Sequence, residues 1–330
     1  MRSHKIRCLA IAVAATLCLC AGAALAQAWP NKALKWIVPF PPGGPTDGLS
    51  RAVAQKLAES IGQPVVIENR GGAGGGVGMD ALARSPPDGY TIGLSTTGTH
   101  AINPALYGAK LPYDPLKDFT HLTLGVVYVN ILVINAGHPA KNLAELVAFA
   151  RANPGKVSFG SAGNGSSNHL SGEILKTITG VPMQHIPYKG SAPALTDVMA
   201  GNLTFMYDIL NTSLPHIRSG RVRALAVTSA KRSPFAPEVP TTEEAGIKGY
   251  ADAGSDLWMG ISAPAGIPKP IVDKLNAELI KVMRSPELRE RIRGQFFDLW
   301  TSTPAEFTAV IKSDLAKWGK IVKASGARVD

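Results

Sequence analysis

The sequence predicts an α/β protein with two lobes. Segments with the pattern of strands alternate with segments that have the pattern of helices, and glycine-rich turns separate them. This alternation occurs twice, in one set that starts near Leu34 and in a second that starts near Val126. Alternating strands and helices favour a parallel sheet with helices on its faces. Two extended segments flank the second set, so we expect two lobes joined by two crossover strands.

The first set has the order strand, helix, strand, helix, strand. Its strands are predicted at 34–38, 64–68 and 90–94. The first helix is indicated by apolar residues at every fourth position, namely Leu49, Val53, Leu57 and Ile61. Ala81 lies in the second predicted helix. The set is therefore a βαβαβ unit.

The second set predicts strands at 157–160, 184–187 and 203–206. The helix between the first two is indicated by Leu170, Ile174, Leu175 and Ile178. The C-terminal third has helices near 270–283 and 304–322 but too little strand sequence for a sheet of its own. It is expected to return to the first lobe.

The extended segments 126–134 and 222–228 are the predicted crossovers. They divide the chain into a first lobe of residues 27–128 and 229–330 and a second lobe of residues 129–228. Ligands of open α/β sheets bind beyond the carboxyl ends of the strands. We therefore expect a ligand-binding cleft between the lobes.

Residues 1–26 have the pattern of a cleavable secretory signal. Arg2, Lys5 and Arg7 precede an apolar run that ends in Ala24-Leu25-Ala26. The alternative is an uncleaved membrane anchor, which the small-residue cleavage pattern disfavours. We expect a mature protein that acts outside the cytoplasm, in the periplasm.

Composition excludes several classes of function for the mature chain. All three cysteines, Cys8, Cys18 and Cys20, lie within the predicted signal, which excludes disulfides, thiolate catalysis and cysteine metal sites. The net charge is +10, but no dense run of lysine and arginine is interleaved with aromatic residues, so no nucleic-acid partner is expected. With 45% hydrophobic and 18% charged residues, the chain has the composition of a globular protein.

The segment Pro41–Asp47 connects the first strand to the first helix. Gly43 and Gly44 allow a ligand to approach the backbone closely, and Pro45 suits the first position of a helix. The free N–H groups of that first turn favour an anion. Thr46 and Asp47 could bind a carboxylate or a bridging water. Helix capping alone is the alternative explanation.

The segment Ser161–His169 repeats this arrangement in the second lobe, with small and hydroxyl-bearing residues before a helix. Two helix N-termini could therefore converge on one carboxylate. A third segment, 187–191, contains Tyr188 and Lys189, for which cleft-lining and purely structural roles are equally compatible with the spacing. Asp208 follows a predicted strand and could add a polar group. Thr96 and Thr97, with His100, could line the distal part of the cleft.

Three enzyme patterns are disfavoured. Residues 76–81 match the loose dinucleotide pattern G-x-G-x-x-A, but they follow the second strand and lack the ribose-binding acid. His169 and Glu173 could supply half of a metal site, without a recognisable third ligand. No G-x-S-x-G elbow occurs, and Ser166 or Ser167 would point away from His169 on a helix. A hydrolase stays the least favoured alternative.

Several motifs resemble a known family. They are Pro39–Asp47, Pro86–Tyr90, Gly160–Ser166, His169–Glu173, Pro187–Gly190, Val239–Thr241 and Glu244–Gly246. They run in order over nearly the whole chain after the predicted signal. In this respect the chain resembles the substrate-binding proteins of tripartite tricarboxylate transporters, the Bug proteins first grouped in Bordetella.

The resemblance implies a type II periplasmic binding protein of the Venus-flytrap kind. It also implies a small organic ligand, a mono- or dicarboxylate that is aliphatic or aromatic. Residues 40–47 and 161–169 would hold this ligand, partly through two ordered waters. Membrane permease subunits are the implied partners. We therefore expect a monomeric receptor without catalysis, cofactor or metal, with a sensor for a signalling partner as the alternative. The predicted ligand-binding residues are Phe40, Gly43, Gly44, Thr46, Asp47, Thr96, Thr97, Ser161, Ala162, Asn164, Gly165, Ser166, Ser167, His169, Tyr188, Lys189 and Asp208.

Overall fold

The computed structural model describes residues 29–250 and 257–327. The predicted signal at residues 1–26 lies outside these ranges. Within them, none of the helices combines the length and the apolar character needed to span a bilayer. Two β-sheets with helices on their faces make an α/β fold of two lobes.

The first part of the chain alternates strands and helices as predicted. Its elements are β1 (Leu34–Val38), α1 (Pro45–Ile61), β2 (Val65–Asn69), α2 (Gly76–Ala83), β3 (Thr91–Thr96), α3 (Asn103–Tyr107) and β4 (Phe119–Tyr128). α1 begins at a proline, which suits the first position of a helix. It is followed by the C-cap residue Gly62, which has a left-handed backbone conformation.

The middle part of the chain forms the second lobe. Its elements are β5 (Asn130–Asn135), α4 (Leu143–Ala152), β6 (Ser158–Ser161), α5 (Ser167–Thr179), β7 (Gln184–Pro187), α6 (Ser191–Ala200), β8 (Phe205–Ile209), α7 (Leu210–Arg218) and β9 (Val222–Val227). The strand predicted at 203–206 begins two residues later and runs to Ile209, because Leu203 packs into the core before the ladder starts.

The last part of the chain returns to the first sheet. Its elements are β10 (Leu257–Pro264), α8 (Lys269–Met283), α9 (Pro286–Gly294), β11 (Asp298–Leu299) and α10 (Pro304–Ser325). The described strands of the first sheet have the order β11-β4-β10-β3-β1-β2, and those of the second have the order β7-β6-β8-β5-β9. β1 pairs in parallel with β2 and β3, whereas β10 is antiparallel to β3 and β4. The βαβαβ prediction is confirmed.

The lobes are connected at two places. β4 of the first sheet ends at Tyr128 and β5 of the second begins at Asn130, within the predicted crossover 126–134. The segment 222–228 forms the edge strand β9, and the chain re-enters the first sheet at β10. Residues beyond β9 still pack on the second lobe, since Thr241 bridges Val227. The proposed lobe boundaries at residues 128/129 and 228/229 stay a prediction.

Candidate functional site

A cavity of about 80 Å³ lies between the two lobes. This is room for several water molecules or one small organic molecule, since a single water needs about 10–15 Å³ on the same measure. Its lining comes from the segments that follow β1, β3, β6 and β7, with single residues from β4, β8 and β10. The cleft therefore lies at the carboxyl ends of strands, where an open α/β sheet binds its ligand.

The lining contains part of the predicted set and further residues. The predicted residues that line it are Phe40, Gly44, Thr46, Thr96, Ala162, Ser166, Ser167 and Lys189. The lining residues absent from the predicted set are Pro41, Pro42, Pro45, Gly98, Tyr128, Asn168, Gly190, Ser191, Ala192, Pro193, Ile209 and Met259. Many of these lie within the predicted segments and could have been included, whereas Tyr128, Ile209 and Met259 reach the cavity only through the tertiary fold.

Three helix N-termini border this cavity. α1 contributes Gly44 to Thr46, α5 contributes Ser166 to Asn168, and α6 contributes Gly190 to Ala192. The first turn of a helix has N–H groups without intrahelical partners and carries the positive end of the helix dipole. Both properties favour a bound anion. The first lobe provides one of these termini and the second lobe provides the other two.

Two polar side chains at these termini are buried without a partner. Thr46 is 5% exposed and its Oγ1 has no hydrogen-bond partner. Asn168 is 2% exposed and its Nδ2 likewise has none. Burying an unpaired polar group is unfavourable, so such groups are typically satisfied by a ligand or by water. Both line the same cavity, one from each lobe.

The loop before α1 is held by Asp47, which does not line the cavity. Its Oδ2 accepts hydrogen bonds from the Gly43 N–H at 3.0 Å and from Arg51 Nε at 2.9 Å, and its Oδ1 accepts from Asn69 Nδ2 at 2.9 Å. Burial alone would raise the pKa of this carboxyl, but the hydrogen bonds from Arg51, Gly43 and Asn69 outweigh it and lower the pKa. The carboxylate thus positions the loop.

The loop before α5 is held by Ser166 and His169. Ser166 Oγ donates to the Gly163 carbonyl at 2.7 Å and accepts from the backbone N–H of His169 at 3.3 Å. The Nδ1 atom of His169 accepts from the Gly165 N–H at 3.2 Å. Ser166 is therefore the N-cap residue of α5, and His169 faces the loop backbone. The two side chains do not form the nucleophile–base pair that a hydrolase would need.

A second histidine completes this network. The rings of His169 and His185 stack with their centroids 4.0 Å apart, and His185 Nε2 lies 2.7 Å from Ser161 Oγ. Burial lowers the pKa of His169 to about 3, helped by His185 and Lys176, and lowers that of His185 to about 4. Both rings are neutral near pH 7, and neither lines the cavity.

Three further predicted residues, Tyr188, Thr97 and Asp208, do not line the cavity. The Tyr188 hydroxyl donates to Asp197. Thr97 Oγ1 accepts from the Trp258 N–H at 2.9 Å and ties β3 to β10. Asp208 is fully buried and accepts hydrogen bonds from Thr212 and Ser213. Burial raises the pKa of Asp208 despite these bonds. These tertiary contacts could not be read from the sequence.

Two predicted residues of the loop before α5, Asn164 and Gly165, lie where the two lobes are in contact. The Tyr107 hydroxyl of the first lobe donates to the Asn164 carbonyl at 3.3 Å. A Cβ on Gly74 would lie 2.0 Å from the same carbonyl oxygen, and one on Gly165 would lie 1.9 Å from Asn103 Oδ1. Only residues without a side chain allow this close approach.

Lys189 is the charged side chain of the lining. It is exposed, and in the described ranges no carboxylate lies within ion-pair distance of it. No acidic residue is found among the described residues that line the cavity. The electrostatics of the site therefore favour a negatively charged ligand over a cation.

The other enzyme patterns have structural explanations. Glu173 pairs with Lys176 at 2.8 Å rather than facing a metal with His169, and no group of three metal-binding side chains is found in residues 29–250 and 257–327. Gly78, from the dinucleotide-like pattern, lies where a Cβ would be 2.7 Å from Pro39 Cα, so it serves the packing of α2.

Comparison with known proteins shows which family the chain belongs to. Residues 49–327 match the family model described as the tripartite tricarboxylate transporter family receptor. The chain is 35% identical over 304 residues to protein BugT of Bordetella pertussis, which covers 92% of each chain.

Two solved structures are similar over nearly their full length. The structure of R. palustris Rpa4515 with adipate is 36% identical with a TM-score of 0.85, covering 90% of this chain and 98% of that one. The periplasmic binding protein BugD is 35% identical with a TM-score of 0.85, covering 91% and 99%. The resemblance seen in the sequence motifs is confirmed, as is a binding function without catalysis. This chain belongs to the tripartite tricarboxylate transporter family receptors, among the Bug-type substrate-binding proteins.

Proposed function

We propose that this protein binds a small organic carboxylate in the cavity between its lobes and delivers it to a membrane permease of the tripartite tricarboxylate type. The observation that carries the proposal is the pair of unpartnered polar groups, Thr46 Oγ1 and Asn168 Nδ2. Each lies in the first turn of a helix, and both line one cavity from opposite lobes. A carboxylate between them would satisfy both groups and both helix N-termini at once.

The remaining lining indicates what is attached to that carboxylate. Phe40, Pro45, Pro193, Ile209 and Met259 make most of the cavity apolar. Such a lining suits a hydrocarbon chain or ring. Lys189 at the rim could accept a second carboxylate, as a dicarboxylate would present. The adipate in the structure of Rpa4515 is a ligand of this kind.

The two-lobed arrangement supports a receptor that closes on its ligand. An anion that bridges α1 and α5 makes its contacts to both lobes only when they are together, so binding would shift the population towards the closed form. Recognition would depend mainly on N–H groups and hydroxyls, with Lys189 as the one charged residue in the described part of the lining. We therefore expect affinity to depend only modestly on salt concentration.

The experiment is a calorimetric titration of the purified protein with adipate, benzoate and a hexylammonium control. Binding of a carboxylate and no response to the amine are expected. Thr46→Val and Asn168→Leu should each weaken the affinity by about tenfold or more, since a hydrogen bond to a charged group contributes about 1.5–3 kcal/mol. Thr177→Val, on α5 but outside the lining, is the matched control and should retain the affinity of the parent.

Unchanged affinity in both cavity variants would contradict the proposed site. Delivery and compartment are tested separately. Deleting the gene should abolish uptake of the bound carboxylate, and the protein should appear in the periplasmic fraction with residues 1–26 removed. Binding without any effect on uptake would favour the alternative, a sensor for a signalling partner. Consumption of the carboxylate by the purified protein would favour an enzyme.

A further inference from the structure

A second concave surface lies at the edge of the first sheet, away from the ligand cavity. It is a groove of about 480 Å³ between α9 and β11. Three arginines, Arg284, Arg289 and Arg293, line it together with Asp298 and Trp300. We call this surface the arginine groove. Among the described residues, the charged side chains that line it are three guanidinium groups and one carboxylate, so the groove carries a net positive charge.

The arginines of the groove lack acidic partners. Arg284 Nε donates to Thr301 Oγ1 at 2.9 Å, and the guanidinium of Arg293 lies 5.9 Å from the centre of the Phe235 ring. In the part of the chain that the structure describes, no carboxylate oxygen lies within 4.0 Å of any of the three. All three side chains are exposed. Their hydrogen-bonding capacity is therefore largely available to a partner.

Some other arginines of the same lobe do pair with an acid on their own helix. Arg51 pairs with Asp47 and Arg84 with Asp80, each within one helical turn. In α9, Arg289 and Arg293 are four residues apart, a spacing at which like charges weakly destabilise a helix, whereas Glu290 lies at the favourable spacing of three residues before Arg293. The helix dipole favours Arg293 near the C-terminus but not Arg289 in the middle. Intramolecular contacts alone do not account for this concentration of charge.

We propose that the arginine groove docks an acidic segment of the protein partner that receives the ligand. Arginine binds carboxylates through two parallel hydrogen bonds, a geometry suited to aspartate and glutamate side chains. The groove is concave and includes Trp300, which suits an inserted polypeptide better than the flat surface of a lipid bilayer. Electrostatic complementarity of this kind accelerates association and fixes orientation.

The position of the groove agrees with such a role. Arg293 contacts Phe235, which lies on the segment that leaves the second lobe after β9. Nearby, Arg218 at the end of α7 lies 5.3 Å from the ring of Phe296 in the first lobe. A segment docked in the groove would thus lie beside contacts that connect the two lobes. The proposal rests on the proposed delivery function for the identity of the partner, whereas the groove's affinity for acidic chains can be measured alone.

The test uses a fluorescein-labelled deca-glutamate peptide and fluorescence anisotropy at low salt. The parent protein should bind it, and the triple variant Arg284→Gln, Arg289→Gln, Arg293→Gln should lose at least tenfold in affinity. The control variant Lys141→Gln, Arg151→Gln, Lys156→Gln removes the same number of exposed charges from the second lobe and should bind within about twofold of the parent.

Equal losses in the two triple variants would overturn the proposal, because binding would then follow net charge alone. Phosphatidylglycerol vesicles are the second probe, and groove-dependent binding to them as tight as to the peptide would assign the surface to a membrane instead. Titration of both triple variants with a carboxylate tests the proposed ligand-binding function independently of the peptide result. The groove variant should keep its carboxylate affinity, whether or not the peptide binds.

Discussion

The loop before α1 and the loop before α5 present the same feature to the cavity, a helix N-terminus beside an unpartnered polar side chain. They are held in place by different chemistry. In the first lobe, the ionised carboxylate of Asp47 bonds to Gly43, Arg51 and Asn69. In the second lobe, neutral His169 and His185 stack, and they bond to Gly165 and Ser161. One support is ionic and the other is uncharged.

Because of this difference, the two loops are expected to respond differently to pH, although both present a helix N-terminus to the cavity. The pKa of Asp47 is lowered, so its contribution to stability is present above its usual pKa of about 3.9 and is lost only as the pH falls below that range. The histidines have lowered pKa values, so their neutral network is stable above pH 6.5 and weakens as the pH falls from there. Between pH 5 and 8 only the second loop should respond.

The largest expected effect comes from separating the lobes where Gly74, in the segment before α2, meets the loop before α5. In Gly74→Ala, the added methyl group would lie 2.0 Å from the Asn164 carbonyl oxygen, which is backbone and cannot move aside alone. Overpacking of this size costs about 1–3 kcal/mol, so the dissociation constant for a bound carboxylate should rise by about fivefold to a hundredfold. Isothermal titration calorimetry measures this directly.

The matched control separates the steric contact from backbone strain. Gly62 also has a left-handed backbone, at φ +69°, but a Cβ there meets nothing within 4 Å. Gly62→Ala should therefore show the cost of strain in thermal stability and leave the carboxylate affinity unchanged. If Gly74→Ala bound as tightly as Gly62→Ala, the close contact between Gly74 and Asn164 would not be needed for binding.

The next effect concerns the ionic support in the first lobe. Asp47→Asn removes the charge but keeps the shape, and it should lower the free energy of unfolding by about 1–2 kcal/mol, because a charge-assisted network near the surface is partly screened. The matched control is Asp80→Asn. Asp80 pairs with Arg84 at the same spacing but holds no loop, so its loss should cost about 0.5 kcal/mol or less. Urea unfolding at pH 7 measures both changes in the free energy of unfolding. Equal losses in the two variants would show that Asp47 contributes no more than an ordinary surface ion pair.

The overall architecture could be predicted from local patterns. The apolar spacing of Leu49, Val53 and Leu57 marks α1, and the alternation of strands and helices implied parallel pairing of β1, β2 and β3. Helix N-termini after strands could also be recognised, because glycine, proline and serine there have local effects on the backbone. These features depend on neighbours in the sequence.

The finer organisation of the candidate site depends on tertiary contacts. The sequence around Tyr188 is equally compatible with a cleft-lining and a structural role. In the structure its hydroxyl bonds to Asp197, nine residues further along the chain. Thr97 meets Trp258, which lies 161 residues away. Met259 enters the cavity because β10 lies next to β3. Pairings at such separations leave no periodic or compositional signal.

The smallest expected effect tests the uncharged support in the second lobe. His185 has a pKa of about 4 in the folded protein and about 6.5 when unfolded, so lowering the pH from 7 to 6 protonates mainly the unfolded chain. This one group should remove less than about 1 kcal/mol from the free energy of unfolding over that interval. When the pH is lowered from 7 to 6, the free energy of unfolding should fall less in His185→Gln than in the parent, and the difference should be about the contribution of this one group. Urea unfolding at the two pH values measures both changes. Asp47→Asn should keep the parent's pH response, because the carboxyl does not titrate there. If His185→Gln kept it as well, the two loops would not differ in their response to pH.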